Sequence, residues 1–340
     1  MKAVVVHAVN DLRIDDVPDP ICGVDDVLVE MEWGGICGSD IAYFKKGISG
    51  TAELKNPLIL GHEVSGHVAK VGSNVQNINV GELVTIHPAT FVGDYKIPDD
   101  MKHRTNLWPE VRYFGSAAFL PHEQGGFSRY RTVRPDQLRR IPTGVTTKEA
   151  ALAEPFGVAI HGVNRAGQIA GKRVLVNGCG PVGSLVVAAL RARGAETIYA
   201  ADLSDAALNI AGKMGADNLI HLVADEKLPD EVDVSFETSG APSAIGSVLM
   251  VTRRGGTVVQ IGNLPGTEAP VLLGQLVTRE INYLGSYRFI DEIADALEIM
   301  KSVDVSPLMT HEFNLEDAEK AFQIAADRST GSSKVMLKLS

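Results

Sequence analysis

The rhythm of apolar and polar positions changes near residue 150. Before that point short apolar runs alternate with glycine and proline punctuation. Val27-Leu28-Val29-Glu30-Met31-Glu32 and Leu83-Val84-Thr85-Ile86 read as strands, the opening Met1-Lys2-Ala3-Val4-Val5-Val6-His7 reads as a first strand, and helical periodicity is scarce. This part is expected to be an all-β domain. From Ala170 strands and helices alternate, with strands predicted at 173–177, 197–201, 219–221, 232–236, 257–261 and 281–285. That alternation predicts a doubly wound parallel sheet. The tail changes style again: a helix from Leu315 to Ala326 capped by Asn314, then a strand from Lys334 to Leu339, expected to rejoin the β domain. The predicted class is α/β, with a β-rich domain at 1–153 completed by 288–340 and a doubly wound domain at 154–287. A cleft is expected between Ala153-Glu154-Pro155 and Gly285-Ser286.

The stretch that organises the second domain is Asn177-Gly178-Cys179-Gly180-Pro181-Val182-Gly183, entered from Arg173-Val174-Leu175-Val176 and left through the helical Ser184–Leu190. Strand, glycine turn and helix in that order form a dinucleotide site. Gly178 makes the turn, Gly180 lets the backbone approach a pyrophosphate, and Gly183 lets helix and strand pack closely. Pro181 and Val182 open the helix, whose free N–H groups and positive dipole end face the phosphates. Asp202 ends the next strand about 20 residues beyond Gly180, the spacing at which a carboxylate takes the ribose hydroxyls. Leu203, Ser204 and Asp205 follow it, with no arginine. A 2′-phosphate would meet two carboxylates and no cation, so NAD(H) is expected rather than NADP(H).

The β domain carries a second constellation. Gly34-Gly35-Ile36-Cys37-Gly38-Ser39-Asp40 presents a cysteine on a glycine-rich turn, and Leu60-Gly61-His62-Glu63-Val64-Ser65-Gly66 presents adjacent histidine and glutamate. Thiolate, imidazole and carboxylate are zinc ligands, and three protein ligands leave a position open for substrate. Alone, Cys37 reads as a small buried hydrophobe and His62 as a structural histidine; together they read as a metal site. Asp40 is either a turn cap or the group that orients the His62 ring. Glu154 is a fourth ligand, a proton shuttle, or a charge matched to a helix N-terminus.

Composition narrows the class. The net charge of −10 argues against a nucleic-acid partner, whose phosphates call for a cationic surface. Three cysteines (Cys22, Cys37, Cys179) argue against a disulfide framework and for a reducing compartment. No apolar run approaches a membrane span and the start lacks a secretory signal, so a soluble cytoplasmic protein is expected. Cys22 and Cys179 read as structural, and His87, His103 and His311 have no partner motif.

At this point the chain resembles the zinc-containing medium-chain dehydrogenase/reductase family over nearly its whole length. Gly61-His62-Glu63 with Gly66, Gly72 and Val75 is similar to the family's zinc signature. Cys37–Asp40, Arg112–Ala117, Pro121-His122, Gly125–Tyr130, Glu154–His161, Ser235–Gly240 and Gly285–Phe289 resemble its polyol and sugar-acid branch. The resemblance implies a GroES-like β domain joined to a Rossmann domain, and a homodimer or homotetramer in which the edge near Ile281–Gly285 extends the sheet. It implies reversible oxidation of a secondary alcohol by NAD+, with zinc held by Cys37, His62 and Glu63 or Glu154, and Ser39 taking the proton. The substrate would be a sugar acid such as L-idonate, giving 5-keto-D-gluconate, or an uncharged polyol such as sorbitol, xylitol or galactitol. Arg288 is the first candidate for a substrate carboxylate, then Arg112 and Arg129. Tyr43, Phe44 and Phe114 either wall the pocket or belong to the core. Two departures matter. Phe91 to Trp108 contains no cysteine where relatives hold a structural zinc, so one zinc per chain is expected, with Phe91, Tyr95 and Trp108 packing in its place. Ala42 stands where relatives often carry a relay histidine, so protons would leave by Glu154 and water. The competing readings are a zinc-free, quinone-reductase-like enzyme and a non-catalytic NAD-binding regulatory protein.

Overall fold

The computed structural model of the chain describes residues 1–224 and 226–340. Contacts divide it into one unit of Met1–Glu154 with Met309–Ser340 and a second of Pro155–Leu308.

The first unit is built on the Val27–Gly35 strand. Val27, Val29 and Met31 are fully buried while Leu28 and Glu30 between them are half-buried, the two-residue alternation of a strand with one face on a core. This strand pairs antiparallel with Glu63–Val71, Tyr130–Val133 and Lys334–Lys338. The larger sheet continues outward through Leu83–Ile86 and Leu138–Arg140 on one side and Met309–Asn314 on the other. Lys2–Ala8, Asp11–Asp16 and Leu58–Ile59 form a smaller sheet. Both contribute to one apolar core that includes Val4, Met31, Phe44, Phe127 and Phe322. The tail therefore rejoins the β domain as expected. Its helix begins later than the pattern predicts: Leu315–Asp317 is a 3-10 turn that buries Leu315, and the α-helix runs Ala318–Ala326. Asn314 makes no side-chain capping bond.

The second unit is a six-stranded parallel sheet. Its order is Asn218–His221, Thr197–Asp202, Arg173–Asn177, Val232–Glu237, Thr252–Gln260, Asn282–Gly285. The predicted strands are all present. The fifth starts earlier than expected because Thr252 is buried in a side-chain pair with Ser235 (2.8 Å), which brings the chain into the sheet before the glycines at 255 and 256. The order places the reversal of direction between Arg173–Asn177 and Val232–Glu237, where such sheets bind ligands.

The return to the first unit comes at Met309, not at Arg288 as expected from the sequence. The reason lies at Glu292. Its Oε1 is 2.7 Å from His161 Nδ1 on the Ala153–Arg165 helix, and its Oε2 accepts the N–H groups of Ile290 (2.7 Å) and Asp291 (3.1 Å). Arg165 of the same helix donates to Gly285 O at 3.2 Å. The His161–Glu292 bond ties this segment to the helix of the second unit.

Burial pushes the Glu292 carboxyl up, but the His161 hydrogen bond and charge and the backbone N–H groups outweigh it and hold the carboxyl below its usual value of 4.5. A carboxyl depressed in the folded state stabilises above its unfolded value, and the contribution fades as pH falls through the folded value. Glu292→Gln is therefore expected to cost about 1.5–3 kcal/mol at pH 7, the scale of charged hydrogen bonds. The gap from wild type should shrink below pH 4.5. Urea unfolding of both proteins across pH 3–7 checks it; a gap independent of pH contradicts it.

Candidate functional site

The first constellation lies wholly in the first unit. Register explains its assembly. Gly35 pairs with Glu63, so the turn after one strand and the turn before the other emerge side by side. Cys37 leads into the Gly38–Lys46 helix from the first turn, and His62 ends the second. Asp40, fully buried, joins the two: its carboxylate accepts the N–H of Cys37 at 2.9 Å and of Gly61 at 3.2 Å. A Cys37 sulfur, a His62 ring nitrogen and a Glu63 oxygen then lie within 4.8 Å of one another, with His62 and Glu63 buried. Among the described residues this is the one group of three such donors. Soft sulfur, borderline nitrogen and hard oxygen at that mutual spacing fit a zinc ion.

Lys334, which the sequence reading missed, provides the charge that such a corner needs. Gly35 lies opposite Met336 on its other side, and Lys334 is two residues away on the same face. Its buried Nζ donates to both Glu63 oxygens at 2.7 Å and to Ile36 O at 3.2 Å. Gly35 leaves the gap through which they meet: a Cβ there would lie 2.4 Å from Glu63 Oε2 and 3.2 Å from Lys334 Cδ. Burial lowers the Lys334 pKa, but the charges of Glu63 and Cys37 outweigh it and raise it above the ordinary lysine value.

Glu154 is buried and accepts the Tyr113 hydroxyl at 2.5 Å. Burial raises its pKa, with His62, Tyr113 and Lys334 opposing. The Tyr113 ring also packs edge-on against His62, centroids 5.7 Å apart. Burial works against a charged His62, yet Cys37, Asp40 and Glu154 carry its pKa well above the ordinary value. Asp40 Oδ1 stands 3.9 Å from His62 Nδ1, beyond a hydrogen bond. Burial raises its pKa too. Its firm bonds are to the two turns, so it positions backbone and acts on the ring only through its charge. Lys334 had only one signal in the sequence, a charge at the head of an apolar strand; Tyr113 had none.

Other candidates fall into place around this corner. Ser39 is the second residue of the helix after Cys37 and is half-buried. Tyr43, Phe44 and Phe114 belong to the apolar core, with the Tyr43 hydroxyl accepting Ala117 N–H at 3.0 Å. Arg112 is paired with Glu110 and Arg129 with Glu30, each at 3.1 Å. In the cysteine-free stretch Phe91 and Trp108 pack edge to face at 5.4 Å, whereas Tyr95 is largely exposed and donates to Glu110 at 2.9 Å.

The second constellation lies in the second unit. Arg173–Asn177 leads to the glycine turn, and the Pro181–Ala192 helix starts at once, with Gly180 at its N-cap and Pro181 in its first turn. Gly178 has φ +94°, and a Cβ on Gly183 would lie 1.9 Å from Gly178 O. Nothing lies within 4 Å of a Cβ placed on Gly180, the glycine expected to face a pyrophosphate. Asp202 ends the neighbouring strand as predicted. Its oxygens accept the N–H of Cys179 (2.6 Å) and of Ser204 (2.9 Å), so it supports the turn itself. Cys179 is buried beneath the turn, and burial and Asp202 both push its thiol pKa up, which leaves it inert. Arg288 sits at φ +50° with its guanidinium 5.0 Å over the Tyr287 ring. No helix among the described residues is long and apolar enough to cross a membrane.

Residues 23–143 match the alcohol dehydrogenase GroES-like domain and residues 181–302 the zinc-binding dehydrogenase domain. The chain is 38% identical to L-idonate 5-dehydrogenase (NAD(P)(+)) of Escherichia coli, over 91% of each chain. It is 34% identical to sorbitol dehydrogenase of Bacillus subtilis, over 99% of this chain and 97% of that one. The crystal structure of the Escherichia coli L-idonate 5-dehydrogenase superposes with a TM-score of 0.93, at 35% identity and covering 99% and 97% of the two chains.

Removing one partner of a buried ion pair strands the other charge, at a cost of about 3–5 kcal/mol. Lys334→Met is expected to destabilise the chelator-treated protein by that amount, read from urea unfolding. A loss under about 1 kcal/mol would show that the pair does not hold this corner.

Proposed function

Because the chain belongs to the zinc-binding medium-chain dehydrogenase family, a family of zinc-dependent alcohol and polyol oxidoreductases, we propose that it oxidises a secondary alcohol of a sugar acid. The proposed reaction is L-idonate to 5-keto-D-gluconate, with NAD+ as acceptor. The observation that carries the reading is the set of half-buried Cys37 and buried His62 and Glu63, whose donor atoms converge within 4.8 Å. These three would hold one zinc per chain, with Glu154 beside them on its Tyr113 hydrogen bond. When bound, zinc supplies a Lewis acid that acidifies the carbinol, and the dinucleotide supplies the hydride acceptor.

The chain's own residues then do the following. Asp40 keeps the Cys37 and His62 turns in place through their N–H groups. Lys334 offsets the Glu63 charge beside Cys37 and Glu154. Ser39 Oγ takes the proton that the carbinol loses. Glu154, its pKa raised by burial, is the carboxylate that passes the proton on, in a chain where Ala42 cannot. In the second unit the Gly178–Gly183 turn and helix N-terminus receive the pyrophosphate. Asp202 takes the ribose hydroxyls; with Asp205 near it and no arginine in the turn, NAD+ is preferred over NADP+.

Arg288 is the proposed partner of the substrate carboxylate, since a guanidinium fork matches it. An uncharged polyol such as sorbitol is the second reading. It is favoured by the pairing of Arg112 and Arg129 with their own glutamates, which takes both out of competition for an acid substrate.

Initial rates of NAD+ reduction with L-idonate, sorbitol, xylitol and galactitol, with and without a chelator, test the reading. L-idonate should give the highest kcat/KM, and chelation should abolish turnover until zinc is restored. Failure of the zinc-loaded protein to oxidise any of the four defeats it. Arg288→Ala should lower kcat/KM for L-idonate about 10- to 100-fold, the scale of a lost charged hydrogen bond, and leave sorbitol unchanged. Cys37→Ala should lose turnover while retaining NADH binding. Unchanged turnover in that variant would leave a role independent of metal.

A further inference from the structure

In the second unit a row of polar side chains crosses the carboxyl ends of four neighbouring strands. Asn177, Glu237 and Gln260 each end a strand, and Tyr283 stands two residues from the end of the next. Glu237 is fully buried. Its Oε1 accepts the N–H of Ser239 at 3.0 Å, the Ser239 hydroxyl, and Asn177 Nδ2 at 3.4 Å. Its Oε2 accepts the N–H of Gly240 at 3.2 Å and Gln260 Nε2 at 2.6 Å. Tyr283 in turn donates to Gln260 Oε1 at 2.7 Å, which fixes that amide with its NH2 toward the glutamate.

Two features need a reason. First, all five of these donors to the carboxylate are neutral, so among the described residues an anion is buried here with no cation bonded to it, an arrangement that costs more than an apolar strand end of the same size. Second, the bonds converge on one short turn. Residues 238–240 lie directly against the glycine turn: Thr238 N–H donates to Asn177 O at 2.9 Å, the Thr238 hydroxyl donates to Gly178 O, and a Cβ on Gly178 would be 2.6 Å from Ser239 N. The carboxylate thus secures, from below, the segment that bounds the reversal point of the sheet opposite the glycine turn.

We propose that Glu237 is a positioning residue of the dinucleotide site, acting through the 238–240 turn rather than by contact. It holds Ser239 and Gly240 against the Gly178 turn, so the rim of the crevice is formed before the cofactor arrives and binding need not order it. The inference rests on the reading that this unit binds a nicotinamide dinucleotide. A glutamine cannot replace the glutamate. Its single oxygen leaves one of the two turn N–H groups without an acceptor, and its NH2 faces the NH2 of Gln260. Gln260 Nε2 also donates to Gly262 O at 2.8 Å, so a carboxylate at 260 would face that carbonyl with no proton to give, and exchanging the two side chains does not restore the network.

The experiment is calorimetric titration of the zinc-loaded protein with NADH and with NADPH. Thermal midpoint and zinc content are measured alongside. E237Q is expected to raise Kd for the preferred dinucleotide at least tenfold, while zinc content stays at the wild-type value and kcat at saturating dinucleotide changes less than about threefold. Should E237Q not accumulate as folded protein, Q260L, which removes the amide that donates to Glu237 and Gly262 O and accepts the Tyr283 hydroxyl, is expected to raise Kd about threefold. An E237Q protein with wild-type Kd overturns the inference. So does a weakened E237Q that also loses zinc, since that marks general unfolding. If the wild type binds neither NADH nor NADPH, the dinucleotide reading itself is what fails.

Discussion

Anions gathered away from water require a cation, and in the first unit Lys334 answers that requirement. A thiol, an imidazole and the Glu63 carboxylate converge there, with Glu154 close enough to influence them. Lys334 reaches Glu63 across a gap left by Gly35, from a strand that arrives at the end of the chain. The last strand therefore does more than close a sheet edge. Without it Glu63 would lose the cation bonded to its carboxylate in the metal-free protein, and the donor set would be hard to maintain between loading events.

A second regularity runs through both units. Asp40 accepts the N–H groups of Cys37 and Gly61; Asp202 those of Cys179 and Ser204; Glu237 those of Ser239 and Gly240; Glu292 those of Ile290 and Asp291. Each carboxylate secures a turn, and three of those turns carry residues assigned to metal or cofactor. An acceptor-only side chain suits this, since turn N–H groups lack the partners that helix and sheet provide. The acidic excess of the chain thus includes side chains that shape loops, in addition to the solvated surface charge that composition alone points to.

Substrate choice is the least constrained part of the chemistry. A buried metal corner and a dinucleotide turn serve any secondary alcohol, and fold does not select among them. What distinguishes a sugar acid from a polyol is one negative charge, and a cation engaged elsewhere does not recognise it. With Arg112 and Arg129 committed to Glu110 and Glu30, the discrimination narrows to few side chains.

Local chemistry made much of this protein readable in advance. Strand–turn–helix around Gly178 to Gly183, the six parallel strands, and Cys37, His62 and Glu63 as ligand types follow from period, turn residues and side-chain chemistry, which act over a few residues, whereas the register of Gly35 with Glu63 and with Met336 brings the ligands and the tail together. The start of the tail helix and the segment 288–308 were misplaced because burial of Leu315 and the His161–Glu292 bond decided them, and neither leaves a local trace. Lys334 against Glu63, Tyr113 against Glu154, and Asn177 and Gln260 against Glu237 are pairings between elements distant in sequence. Strand register and burial alone bring those groups within bonding distance, and no pattern of neighbours along the chain encodes them.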